Sequence, residues 1–105
     1  MVFLFLTFKM YKVIISSGFR KSFYKLPKPI QERVRKILEN LKIYLSGEPL
    51  KGDLKNFYSV HFERNKYRLI YYKEDNVLQV LVLHVGKRTS KFYEEFRRQY
   101  LKSKK

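Results

Sequence analysis

Residues 57–73 read FYSVHFERNKYRLIYYK, and the alternation within this stretch decides the fold. Apolar and polar side chains take turns on both sides of a polar tripeptide, Arg64-Asn65-Lys66. A period of two in β-branched and aromatic residues marks strands, and a short polar break between two such runs marks a hairpin. The reading is two antiparallel strands, Phe57–Glu63 and Tyr67–Lys73. In the first, Tyr58, Val60 and Phe62 share one face, and Ser59, His61 and Glu63 share the other. In the second, Tyr67, Leu69 and Tyr71 lie opposite Arg68, Ile70 and Tyr72. Glu74-Asp75-Asn76 makes a second short connection. Val77–Val85 is apolar on both faces and reads as a strand held between neighbours.

Gly86-Lys87-Arg88-Thr89-Ser90 then leaves the sheet, and residues 90–101 space Phe92, Phe96 and Tyr100 as a helix does. Lys102–Lys105 reads as a frayed basic tail. On the N-terminal side, Leu50–Asn56 is a basic loop carrying two leucines. Before it, a helix from Pro29 to Leu45 buries one stripe (Ile30, Val34, Ile37, Leu38, Leu41) and shows charge elsewhere. Pro27-Lys28-Pro29 separates it from a shorter helix over residues 19–26, since proline lacks an amide donor and disfavours helix in its predecessor. Ser16-Ser17-Gly18 turns into that helix from a strand, residues 11–15. The order β-α-α-β-β-β-α describes an α+β domain in which the helices, the first two as a hairpin, pack on one face of a small, mostly antiparallel sheet.

The chain has 105 residues, which is one domain's worth. It is divided as residues 10–101 for that domain, 102–105 for the tail, and 1–9 for an extension of the first strand or sequence ahead of an alternative start at Met10. Lys and Arg number 24 against 9 Asp and Glu, a net +15. The first 50 residues carry 10 basic and 3 acidic residues and the remainder 14 and 6, so the charge belongs to the whole body rather than to a tail. Such a surface calls for a polyanionic partner, nucleic acid foremost. Absence of Cys removes disulfides, zinc–thiolate sites and thiol nucleophiles. The apolar runs Met1–Phe8 and Val77–Val85 are about half of the roughly 20 residues that a membrane span needs. No basic residue precedes Val2–Phe8, which argues against a secretory signal. The expected location is the cytoplasm, with no membrane partner.

Several segments together resemble the RelE/ParE superfamily of bacterial and archaeal toxins. They are Lys21–Ile37 (KSFYKLPKPIQERVRKI), Leu50–Leu54 (LKGDL), Tyr58–Phe62, Lys66–Tyr71 (KYRLIY), and Val85-Gly86-Lys87-Arg88 followed by Tyr93. The resemblance spans Met10 to about Leu101. It implies a microbial-ribonuclease-like α+β fold and a neutralising RelB-like antitoxin bound in a hetero-oligomer. RelE-like members cut mRNA in the ribosomal A site without metal or cofactor. The RNA 2′-hydroxyl attacks its own phosphorus and leaves a 2′,3′-cyclic phosphate. ParE-like members share the fold but poison DNA gyrase.

That cleavage needs a base for the 2′-hydroxyl proton, cations for charge growing on the phosphoryl oxygens, and an acid for the departing 5′-oxygen. The resemblance assigns phosphate binding to Arg68 and Arg88, and guanidinium suits the task because it is always charged and donates in pairs. The alternative for Arg68 is an ordinary surface ion pair with Glu63. Tyr93 matches a tyrosine used for proton transfer or base stacking, although Phe92, Tyr93, Phe96 and Tyr100 together also fit a core-facing helix. RelE-like enzymes carry lysines where this chain has Ser59 and His61. An imidazole titrates near neutrality and serves as base or acid, so His61 joins the catalytic candidates. His84 reads as a packed core or rim residue, and the two histidines lack metal-ligand spacing. Ser59, Lys51, Lys55, Lys66, Lys87 and Lys91, with Arg97 and Arg98, are candidates for RNA contact. If about six to ten cations engage phosphates, affinity falls roughly 10³–10⁵-fold between 50 and 200 mM salt. The expected activity is a ribosome-dependent endoribonuclease. The alternatives are a gyrase inhibitor and a catalytically silent RNA- or ribosome-binding domain.

Overall fold

The structure, a computed structural model, describes residues 10–74 and 77–104; the expectation for residues 1–9 falls outside them. Strand β1 (Lys12–Ile15) leads into helices α1 (Ser17–Tyr24) and α2 (Lys28–Leu41). Strands β2 (Glu48–Pro49), β3 (Phe57–Phe62), β4 (Tyr67–Glu74) and β5 (Gln79–Lys87) follow, and helix α3 (Phe92–Lys104) closes the chain. The sheet order is β1-β5-β4-β3-β2, with β1 parallel to β5 and every other pair antiparallel. The α+β architecture and the mostly antiparallel sheet match the sequence reading.

One expectation is corrected. The helices do not all lie on one face. α1 and α2 cover one side, where Phe19, Phe23, Val34 and Leu41 pack on Val60, Phe62, Leu69, Tyr71, Val80, Val82 and Val85. α3 covers the opposite side, where Phe92 and Phe96 pack on Leu54, Phe57 and Ile70. The physical reason is the second set of apolar residues on the strands. Phe57 and Ile70 alternate out of the first core, and a second cover is needed to bury them.

Boundaries shift for local reasons. α2 stops at Leu41 rather than Leu45, because the chain must turn to lay β2 against β3. Gly47 makes that turn at φ 108°, and a Cβ there would come 2.8 Å from the Ser59 carbonyl oxygen, so only glycine fits. The two-residue β2, not anticipated from sequence, has Pro49 where an edge strand tolerates it. β5 begins at Gln79, not Val77, because Val77 and Leu78 are spent in the turn, Leu78 at φ 40°. Its far end runs through Gly86 and Lys87, which pair with Arg68 and Tyr67. α3 continues through Lys104 instead of fraying at Lys102.

β5 also carries a bulge. Ile70 pairs with His84 and Tyr71 with Val82, leaving Leu83 as the extra residue. The bulge turns both Val82 and Val85 toward α1 and α2. Helix α1 is pinned to it. The Ser16 hydroxyl caps the helix by accepting from the Phe19 amide at 3.0 Å and donates to the Leu83 carbonyl at 3.3 Å. Ser22 Oγ accepts from the Val85 amide.

Candidate functional site

The site follows from the β3–β4–β5 register. His61 stands directly across from Arg68, and Arg68 across from Gly86. The three make one row over three strands on the α3 side, where side chains of directly paired residues lie about 5 Å apart at Cβ. Gly86 adds no side chain to the row, and its place beside Arg68 is covered by the Phe92 ring and His84, which a Cβ there would meet at 3.5 and 3.6 Å. Arg88 leaves the end of β5, its amide donating to the Lys66 carbonyl at 2.7 Å.

Arg68 is held rather than free. One terminal nitrogen donates to the Tyr93 hydroxyl at 2.8 Å, and the other donates to Asn65 Oδ1 at 3.2 Å. Its Cζ lies 5.5 Å from the centre of the Tyr93 ring. Guanidinium has five N–H donors, so each terminal nitrogen keeps one N–H unspent. Its Nε is buried and has no partner among the described residues. Glu63, the sequence-level candidate partner for Arg68, pairs with Arg33 instead at 3.5 Å.

Tyr93 is positioned from below. Ser59, only 1% exposed, places its Oγ 2.8 Å from the Tyr93 hydroxyl. A buried hydroxyl needs a partner, and the phenol supplies it. Ser59 thus faces Tyr93 and not solvent. Phe92 and Phe96 sink into the second core and fix the helix above the sheet. The side chain of Tyr100 lies outside the described residues.

His61 is exposed on β3. Its pKa is lowered, first by partial burial, then by the charge of Arg68; Glu48 opposes this and Arg88 adds to it. Both guanidinium groups therefore act on the same imidazole, and it is neutral and able to accept a proton at pH 7. His84 lies beneath α3, its ring 5.3 Å from Phe92 and 6.1 Å from Phe96. Burial lowers its pKa, with Glu95 opposing and Lys25 adding. It sits as the packed residue that the sequence implied.

Arg68 and Tyr93 are hydrogen-bonded to each other, His61 pairs across from Arg68 on the same face, and the charge of Arg88 reaches His61. Lys66 and Lys87 stand together at the open end of the sheet beside Arg88. Lys51, Lys55 and Lys91 are exposed on loops beside Leu50, Leu54 and Phe92 of the second core. Sequence reasoning missed Asn65, which grips Arg68. Its placement in a hairpin turn masked it, since asparagine is common there for backbone reasons alone. Among the described residues no group of three or more His, Cys, Asp or Glu side chains is assembled, and no helix is long and apolar enough to cross a membrane.

The geometry has relatives. A family model described as the ParE toxin of type II toxin-antitoxin systems, parDE, matches residues 13–92. The chain is similar to the toxin-antitoxin complex RelBE2 from Mycobacterium tuberculosis, with 29% identity and a TM-score of 0.67 over 76% of this chain and 93% of that one. It is similar to an arginine-to-alanine double mutant of the Escherichia coli toxin RelE in the free state, with 26% identity and a TM-score of 0.70 over 86% and 97%. With the archaeal RelE-RelB complex from Pyrococcus horikoshii it shares the fold, at 20% identity and a TM-score of 0.56 over 77% and 98%. Among curated proteins no sequence is significantly similar.

Proposed function

The chain belongs to the RelE/ParE superfamily of type II toxin-antitoxin toxins, and we propose that it is the nuclease kind, a ribosome-dependent endoribonuclease acting on mRNA. The observation that carries this reading is the row in which His61 pairs across from Arg68 while Tyr93 holds the same guanidinium at 2.8 Å. Base, cation and hydroxyl then face one reacting phosphate.

In this reading His61 accepts the proton of the RNA 2′-hydroxyl as that oxygen bonds to phosphorus. The unspent N–H groups of Arg68, with Arg88, neutralise charge on the non-bridging oxygens. The bond from phosphorus to the 5′-oxygen breaks, and the Tyr93 hydroxyl protonates the leaving oxygen; the phenolate then regains a proton from solvent as the His61 imidazolium gives one up. The products are a 2′,3′-cyclic phosphate and a free 5′-hydroxyl. Ser59 orients Tyr93, and Asn65 orients Arg68. The cytoplasm is the site of action, and a RelB-like antitoxin in a hetero-oligomer is the restraining partner, by analogy with the complexes to which the chain is similar.

The test is primer extension on mRNA from translating ribosomes incubated with purified protein. New A-site cuts are expected, reduced about 10²-fold or more in Arg68→Ala and Arg88→Ala. No cuts at stoichiometric protein would refute the reading. The ParE description of the matching family model favours a second one, inhibition of DNA gyrase. Intact mRNA together with blocked supercoiling would establish it.

A further inference from the structure

A second basic surface adjoins the row of catalytic candidates, on the other side of the sheet. A cleft of about 980 Å³ opens between the Pro27–Pro29 corner and the turn joining β3 to β4. Tyr67 lines it together with the cations Arg64, Lys66, Lys87 and Arg88. Its carboxylate, Glu63, is engaged by Arg33. None of the four cations has a carboxylate within ion-pair distance among the described residues. The N-terminus of α2 opens here as well, without an acidic residue in its first turn or a side-chain cap, and its partial positive charge adds to theirs. Four uncompensated cations around a tyrosine and two prolines offer phosphate contacts and flat apolar contacts together. Single-stranded nucleic acid carries both kinds of group on one chain.

The turn that forms one wall is tied down by hydrogen bonds and reaches both sites. Glu63, Arg64 and Asn65 all have positive φ, at 52°, 54° and 68°, a run that non-glycine residues adopt only when their surroundings enforce it. The Lys66 amide closes the turn on the Glu63 carbonyl at 3.0 Å, and the Arg88 amide ties it to β5 through the Lys66 carbonyl. Asn65 lines the cleft and also accepts from Arg68 on the far side. Arg88 lines the cleft too, and its charge acts on His61. The cleft and the catalytic row thus share a wall and a cation.

We infer that this cleft is a substrate subsite that holds the single-stranded RNA flanking the scissile phosphate, with phosphates on Arg64, Lys66 and Lys87 and a base against Tyr67. The inference rests on the RNA-cutting reading above. An acidic protein segment satisfies the charges but gives no role to the continuity with Arg68 and Arg88.

The experiment measures binding of uncleavable 2′-O-methyl RNAs, a trinucleotide and an octanucleotide, to the full chain by fluorescence anisotropy across a salt series. The octanucleotide should bind the wild type more tightly than the trinucleotide. Tyr67→Leu should remove about tenfold of that gain, as expected for one lost stacking contact, and Tyr67→Phe should keep it. Arg64→Ala should lower the salt slope for the octanucleotide by about 0.7. Thermal unfolding of each variant shows that the fold is intact. A wild-type length gain in both Tyr67→Leu and Arg64→Ala overturns the subsite. So does weakened binding of an acidic peptide in these variants with the RNA gain unchanged, which makes the cleft a protein-docking surface. Failure of the nuclease reading looks different: the length gain depends on Tyr67 and Arg64, but ribosomal mRNA stays uncut by the wild type.

Discussion

The two faces of the sheet are built on different terms. The face under α1 and α2 is mostly apolar, and Val34, Leu41, Leu69, Tyr71, Val80 and Val82 are fully buried there. Its buried polar groups are paired: the Tyr71 hydroxyl donates to the Ser46 carbonyl at 2.7 Å and Gln31 Nε2 to the Leu26 carbonyl at 3.0 Å. The face under α3 has a small apolar patch at one end and a polar chain, Ser59–Tyr93–Arg68–Asn65, at the other. One face supplies cohesion. The other gives up burial to hold a cation and a phenol in fixed positions, as a site must if it is to be organised before its substrate arrives.

Adjacent residues on β4 put this contrast to its hardest test. Leu69→Ala should cost about 2–5 kcal/mol in urea unfolding, the range for truncating a buried leucine. Arg68→Ala, one residue away and facing the other side, should change stability by about 1 kcal/mol or less while abolishing most cleavage. Equal destabilisation by both would erase the distinction. Next in size, Arg68→Lys should lose about 10²-fold in cleavage rate with stability unchanged, since an ammonium cannot meet Tyr93, Asn65 and a phosphate with one planar group.

A smaller effect sharpens the account of the polar chain. Tyr93→Phe leaves the buried Ser59 hydroxyl without its partner and should destabilise by about 1 kcal/mol. The double variant Ser59→Ala/Tyr93→Phe should recover most of that loss in thermal unfolding while cleavage stays low. Additive destabilisation would mean that the hydroxyls do not depend on one another. The smallest effect is in pH. His84 and His61 both have folded pKa values below the ordinary 6.5, so between the folded and unfolded values the unfolded chain binds more protons. Stability should be level above about pH 6.5, fall as pH drops from there toward the folded values, and level again below them. His84→Asn should flatten much of that slope in denaturant titrations at pH 5 to 7.

The first face was legible in the sequence because its signal is periodic. Alternation in Tyr58–Phe62 and Tyr67–Tyr71 gave the strands, and the three–four spacing of Ile30, Val34, Ile37 and Leu41 gave α2. The placement of Arg68 and His61 on a common face followed from the same alternation. The second face was harder. Phe92 and Phe96 announce a helix with an apolar side, but helical spacing does not state which face of a sheet that side will meet. The missed clue was on the strands, where Phe57 and Ile70 needed a cover of their own. The bulge at Leu83 was hidden because an insertion into an all-apolar run leaves no break in pattern. Burial of Ser59 was hidden too, since a serine beside a histidine looks like the wet side of a strand until a phenol is seen above it.

The central claim is that His61, Arg68, Arg88 and Tyr93 act together on one phosphodiester. The most direct measurement is the chemistry of the RNA ends that the purified protein leaves on ribosome-bound mRNA, read by mass spectrometry. The account predicts upstream fragments ending in a 2′,3′-cyclic phosphate and downstream fragments with a 5′-hydroxyl, both lost in the Arg68→Ala protein. Fragments ending in a 3′-hydroxyl, or the same cyclic ends at undiminished yield from Arg68→Ala, would contradict it.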